Sequence, residues 1–297
     1  SPVMKPHDHA ALPKGRDIPY LLLGIIGIGT SGPLIAKSAM PVPTLVFLRN
    51  PIGSLVMAPF AIRNGEWRDP SKRHLIRHSA LAGAFLAFHF LAFFLAMRFT
   101  SVAAGTALAA LQPIFAALYV RFKGEHISTT SIIGMFIAFG SVFVITGVDL
   151  HLSTRAFIGD LFGLVCAALA ATYVAIGSRV QRELATTTYT SVCYASCAVT
   201  VSPFIIFGKL NLIHFASKEW VILLLLIIGA QFMGHTLFNV VLKRVSPVVV
   251  SLIVFFEVPV AALVAWIWLH QLPSAGLWIG IAGILAGCTV FVIGGKR

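Results

Sequence analysis

Ten apolar stretches, near residues 18–38, 41–62, 75–97, 100–120, 127–147, 157–178, 187–208, 220–242, 246–268 and 274–294, take up almost all of this 297-residue chain. Each is close to the roughly 20 residues that a helix needs to cross the hydrocarbon of a bilayer. Lipid offers a backbone no hydrogen bonds, so segments of this kind have to be helices that satisfy themselves. The joints between them leave no room for a soluble domain. Only 11% of the residues are charged and 58% are hydrophobic, against roughly a quarter charged in soluble domains. The expected fold class is an all-α membrane protein of ten transmembrane helices, with the lipid bilayer as its main partner.

The formal net charge of +12 does not point to nucleic acid, because Lys and Arg stand singly between apolar runs and form no basic face. Their distribution instead sets orientation, since basic residues accumulate in cytoplasmic loops. With the N-terminus inside, sixteen of the 22 Lys and Arg fall on the cytoplasmic side, five fall outside and Arg49 stays in the membrane. Both termini are therefore expected in the cytoplasm. Residues 1–17 read as a flexible cytoplasmic tail, and the run from Ile18 reads as an uncleaved membrane anchor. Cys166, Cys193, Cys197 and Cys288 all lie in apolar segments, where a thiol packs as a small hydrophobe. No disulfide, metal or cofactor is expected. The fold needs no more than a monomer.

The chain resembles itself at an offset of 146. Gly83, Ala84, His89, Leu91, Arg98, Val102, Pro113, Ala116, Ser128, Ile133 and Gly134 recur as Gly229, Ala230, His235, Leu237, Arg244, Val248, Pro259, Ala262, Ser274, Ile279 and Gly280. A Val-Phe-Val-Ile run at 142–145 returns at 290–293. The domains expected are a first five-helix repeat over 18–147, a linker over 148–156 and a second five-helix repeat over 157–295. Five is odd, so the second copy enters the membrane from the opposite side, and the two are inverted repeats. Such a pair encloses a central site with two related shapes, one open to each side, which is the geometry of alternating access.

Several polar residues fall inside these segments. Gln231, His235 and Asn239, four apart, form a stripe along the eighth helix that lipid would not tolerate. It either bonds neighbouring helices or lines a wet cavity. His89, the repeat partner of His235, sits among phenylalanines that include Phe85, so one wall would be aromatic and the other hydrogen-bonding. Glu257 lies mid-helix, two residues before Pro259, where an ionised carboxylate costs at least about 2.5 kcal/mol unless paired or hydrated. It either bonds backbone freed by the proline or serves the substrate or a proton. Its near-equivalent is Gln112 beside Pro113, and Gly105, Gln112 and Tyr119 repeat every seven residues along the fourth helix. Tyr173, among small residues of the sixth helix, is a candidate gate or stacking group. Arg49 reads either as an anion contact or as a donor to carbonyls loosened by Pro51. Gly29, Gly32, Pro33, Pro113 and Pro259 are the expected hinge positions.

Two turn signatures, Gly124-Glu125-His126-Ile127-Ser128 and Leu269-His270-Gln271-Leu272-Pro273-Ser274, join Glu-Val-Pro at 257–259 and the paired five-helix plan. Over residues 18–294 the pattern resembles the drug/metabolite transporter superfamily, in particular its ten-helix EamA-like exporters, and among these the bacterial aromatic amino-acid exporters. Gln271 stands where that family usually has Glu. The resemblance implies a bacterial inner-membrane exporter of amino acids, aromatic or otherwise apolar, or of related metabolites, with a small molecule as its substrate. The substrate-binding set expected is then His89, Gln112, Tyr119, Tyr173, Gln231, His235, Asn239, Glu257 and Phe85. A nucleotide-sugar or organophosphate exchanger shares the plan but would need several basic residues at the site. A membrane-embedded enzyme would need a nucleophile with its base or a metal cluster, and the chain has no HExxH or GxSxG. No enzymatic activity is expected.

Overall fold

The computed structural model describes residues 15–230 and 252–295. Among these, nine helices are long and apolar enough to cross a membrane. In chain order the elements are α1 (Gly15–Lys37), α2 (Val42–Asn64), α3 (Arg73–Phe99), α4 (Val102–Phe122), α5 (Thr129–Leu152), α6 (Thr154–Val180), α7 (Thr186–Phe207), α8 (Ser217–Leu226), α9 (Leu252–Leu269) and α10 (Ala275–Gly294). The eighth apolar segment, 220–242, begins in α8 and a following π-helical turn at 227–230. Its remainder lies outside the described residues. The protein is a multi-pass membrane protein, and its outward faces are as apolar as its core: Phe122, Phe136, Phe143 and Phe207 are each more than 70% exposed, as lipid contact requires.

Two sets of joints mark the two faces of the bundle. On the near face, where the 65–72 and 181–185 joints lie, Glu66 accepts from the Ala185 N–H at 3.1 Å and the Thr188 hydroxyl at 2.8 Å. Lys72 there pairs with Glu66 at 3.7 Å and donates to the Glu183 carbonyl. On the far face Glu219 accepts from the Ser38 hydroxyl and the Ala39 N–H, both at 2.9 Å, and Thr44 donates to the Asn211 carbonyl at 3.1 Å.

Small residues let the helix backbones meet. Along α5 and α10, Ser131 faces Gly294, Gly134 faces Phe291, Ala138 faces Gly287, Ser141 faces Gly283 and Ile145 faces Gly280. One number rises as the other falls, so these two helices run antiparallel. They are the fifth helices of the two expected repeats, and opposite direction is what an inverted pair would need. The contact of Gly134 with Phe291 and that of Gly280 with Ile145 exchange under the offset of 146, as a two-fold relation demands. Ser128 and Ser274, partners at the same offset, play the same part: each caps the N-terminus of its helix, α5 or α10, by accepting a backbone N–H three residues on. Other repeat counterparts also touch, α2 with α7 and α4 with α9.

Among the described residues, four helices are interrupted within the membrane. α1 breaks at Thr30, α2 at Asn50 ahead of Pro51, α4 at 110–111 ahead of Gln112, and α9 at 255–256 ahead of Glu257. The breaks in α4 and α9 fall within one residue of equivalent places at the offset of 146, and Gln112 and Glu257 each open the second half of a broken helix. α3, α5, α6, α7 and α10 are continuous.

Gln271 has a defined task at the far face. Its Oε1 accepts the Val102 N–H at 3.0 Å, so the turn after α9 caps the first turn of α4. An amide oxygen is acceptor enough for this, and a carboxylate is not required. Gln271→Ala should lower stability by about 1 kcal/mol, while Gln271→Glu keeps the acceptor and should cost little. Thermal unfolding in detergent checks both, and an unchanged midpoint for the Ala variant would reject the capping role.

Candidate functional site

α3 carries His89 toward α6, where its Nδ1 lies 3.0 Å from the Cys166 carbonyl oxygen and 3.3 Å from the Cys166 sulfur. A carbonyl oxygen only accepts, so a hydrogen bond to it needs the proton on Nδ1. The rings expected around His89 are in place. Phe93, one turn on, stacks on it at 6.4 Å with the planes 10° apart, and Phe90 tilts against it at 5.4 Å. Phe85, one turn before, is half-buried on the same helix.

Arg49 ends the first half of α2 and reaches the other side of Phe90, its Cζ 4.5 Å above that ring. It is only 5% exposed. Its electrostatic neighbours are His89 on α3 and Tyr194 and Cys197 on α7. No carboxylate among the described residues lies within ion-pair distance of it, and its Nε has no acceptor. Glu257, half-buried on α9, has no hydrogen-bond or ion-pair partner among the described residues. The His89–Cys166 contact thus ties α3 to α6 inside the membrane.

Tyr173 follows Cys166 by seven residues on α6, about two turns along the same face. It is half-buried, and its hydroxyl adjoins that of Tyr189 on α7. Tyr189 in turn fills the space above Gly177, where an added Cβ would collide with its hydroxyl. Gln112 and Pro113 are half-buried at the restart of α4. Tyr119 stands apart from this cluster: it is 46% exposed, with the Lys123 Nζ 4.8 Å above its ring near the end of α4. Gln231, His235 and Asn239 lie outside the described residues.

Gly29 touches α9 so closely that a Cβ would fall 2.6 Å from the Val260 side chain, and one at Gly32 would fall 2.9 Å from the Met97 sulfur. Pro33 is buried beside them. Pro259 faces outward into an apolar groove of about 370 Å³ between α9 and α10, which it lines with Trp266 and Trp278. Among the described residues no group of three His, Cys, Asp or Glu side chains is placed to hold a metal ion. The cysteines are free and buried.

The residue that sequence reasoning set aside is Arg49. The signal was there, a lone guanidinium a third of the way into a span, but Pro51 offered it a structural task. At that break it is Asn50 that bonds a carbonyl, its Nδ2 donating to Val46 at 2.7 Å, while no hydrogen bond from Arg49 to a carbonyl is seen among the described residues.

Comparison with known proteins places this geometry. A solved crystal structure aligns with 95% of this chain and 99% of its own at a TM-score of 0.63 and 20% identity, so the two share a fold. An uncharacterized transporter of Archaeoglobus fulgidus is 25% identical over 221 residues, which cover 73% of this chain and 75% of that protein. The uncharacterized transporter YxxF of Bacillus subtilis is 23% identical over 286 residues, 94% of this chain and 90% of the relative. The model of the EamA-like transporter family matches residues 16–147 and again residues 157–293, once in each half of the chain. With interrupted helices around a polar centre and a family match over both halves, the chain belongs to the EamA-like transporter family of the drug/metabolite transporter superfamily.

Proposed function

We propose that this transporter exports amino acids with aromatic or other apolar side chains, by alternating access through the site around His89. The observation that carries the reading is Glu257: a half-buried carboxylate inside the membrane, without a cationic partner among the described residues, at the restart of a broken helix. Keeping such a group ionised in lipid costs at least about 2.5 kcal/mol, and a substrate ammonium removes that cost while it is bound. The wall that bears His89 offers the rings of Phe90 and Phe93 for an apolar side chain. In this reading Gln112, Tyr173 and the stripe of Gln231, His235 and Asn239 supply further polar contacts, with Phe85 and Tyr119 along the path.

Alternating access needs elements that bend. The breaks in α1, α4 and α9, with Gly29, Gly32, Pro33, Pro113 and Pro259 at or near them, are the hinges in this proposal. The moving bodies are the repeats 18–147 and 157–295, joined by 148–156. The near face, which carries most of the basic residues, is then the cytoplasmic face of a bacterial inner membrane, with both termini on that side.

Counterflow in proteoliposomes tests the substrate class. Phenylalanine, tyrosine and tryptophan are expected to exchange at least about tenfold faster than serine, the selectivity that burying a ring supplies. Equal rates would overturn the aromatic assignment. A phosphorylated sugar that exchanges faster than any amino acid would favour the exchanger reading instead.

A further inference from the structure

We propose that Arg49 is the anchor for the carboxylate of the transported molecule, an inference that rests on the cluster around His89 being the substrate site. The argument begins with cost. A guanidinium that is 5% exposed within a membrane helix has lost most of its hydration, and proteins keep such a charge only when something compensates it. The ring of Phe90 at 4.5 Å compensates part, since a cation over an aromatic face gains about 2 kcal/mol when desolvated. It does not use the guanidinium's hydrogen-bond donors.

Those donors have no other employment in the described structure. One carbonyl at the interruption before Pro51, that of Val46, is taken by Asn50. The Nε of Arg49 has no acceptor, and the polar groups nearest to it, Tyr194, Cys197 and His89, carry no formal charge when neutral. The planar fork of an arginine matches a carboxylate with two parallel hydrogen bonds, so the missing partner has a defined shape.

Charge count favours a carboxylate over a phosphate. Arg49 brings a single positive charge to the cluster. Two further cations of this half lie near the far face: Arg98 donates from Nε to the Ile35 carbonyl at 2.9 Å, its Nη2 having no acceptor among the described residues, and the Lys37 Nζ lies 5.8 Å from the Trp268 ring centre. A dianion would bring more negative charge than Arg49 cancels. A monocarboxylate is matched in charge, and a site of this kind discriminates against molecules that lack the carboxylate.

The test uses the full chain, as wild type, Arg49→Gln and Arg49→Lys, reconstituted in liposomes and assayed for thermal stabilisation in detergent. The probes are phenylalanine, 3-phenylpropionate, phenylalanine methyl ester, 2-phenylethylamine and alanine. Wild type is expected to bind and carry the free carboxylates at least about tenfold better than the ester or the amine. Arg49→Gln should lose that preference together with most of the carboxylate flux, and Arg49→Lys should recover part of it. Ester and amine competing as well as phenylalanine on wild type would overturn the proposal, and this comparison decides the matter even if Arg49→Gln fails to fold. Full carboxylate flux through a folded Arg49→Gln would overturn it too. Alanine carried in an Arg49-dependent way, with phenylalanine ignored, would leave the anchor standing and remove the aromatic reading. No carboxylate carried or bound would remove both.

Discussion

Replacing Glu257 by Gln should lower counterflow of an aromatic amino acid by at least about 30-fold, with the purified protein still monodisperse and its unfolding midpoint little changed. The magnitude follows from taking one partner away from a buried charge pair, which costs about 2–5 kcal/mol. The choice of Gln matters. An amide of the same shape can still bond backbone groups freed by Pro259, so a structural role survives the change and a role with the substrate does not. In the first half an amide stands at a similar place, since Gln112 opens the second half of α4 as Glu257 opens that of α9. Unchanged flux in Glu257→Gln would return this carboxylate to a structural role and leave the substrate ammonium without a partner.

Gly287→Leu should prevent the protein from assembling, and Gly287→Ala should lower its unfolding midpoint by about 5 °C. A Cβ at Gly287 would lie 2.5 Å from the backbone nitrogen of Ala138 and 2.7 Å from the carbonyl oxygen of Gly134. Neither is a flexible side-chain end that can turn away, so α5 and α10 must separate along their length. Overpacking of this kind costs about 1–3 kcal/mol for a single carbon, which for a chain of this size corresponds to a few degrees. Gly140→Ala and Gly147→Ala are the controls, since a Cβ at either meets nothing within 4 Å. They should match or exceed wild type, because Ala favours the helix. If Gly287→Ala unfolds at the temperature of these controls, the close backbone approach does not hold α5 to α10.

The membrane class, the two halves that the family model matches and the near-equivalence of Gln112 with Glu257 were all readable from the amino-acid sequence. Each rests on a local property that tertiary packing cannot override. A run of about 20 apolar residues has to span lipid wherever its neighbours stand, and Ser, Gly and Pro at repeated intervals mark caps and breaks from within their own helix. The family expectation came from the same patterns and holds.

Side-chain periodicity carried less. Gly105, Gln112 and Tyr119 share a face only on an unbroken helix, and α4 breaks at 110–111, between the first two. Tyr119 consequently turns up beside Lys123. Arg49 was visible as a charge within a span, but whether it was satisfied depended on the direction of the Asn50 amide and on which groups α3 and α7 brought to it. The joining of His89 to Cys166, 77 residues away, likewise has no trace in either segment. Hydrophobic length and repeat register are written in neighbouring residues. Which polar groups converge depends on how helices distant in sequence pack, and in lipid that packing follows from where glycines let two backbones touch.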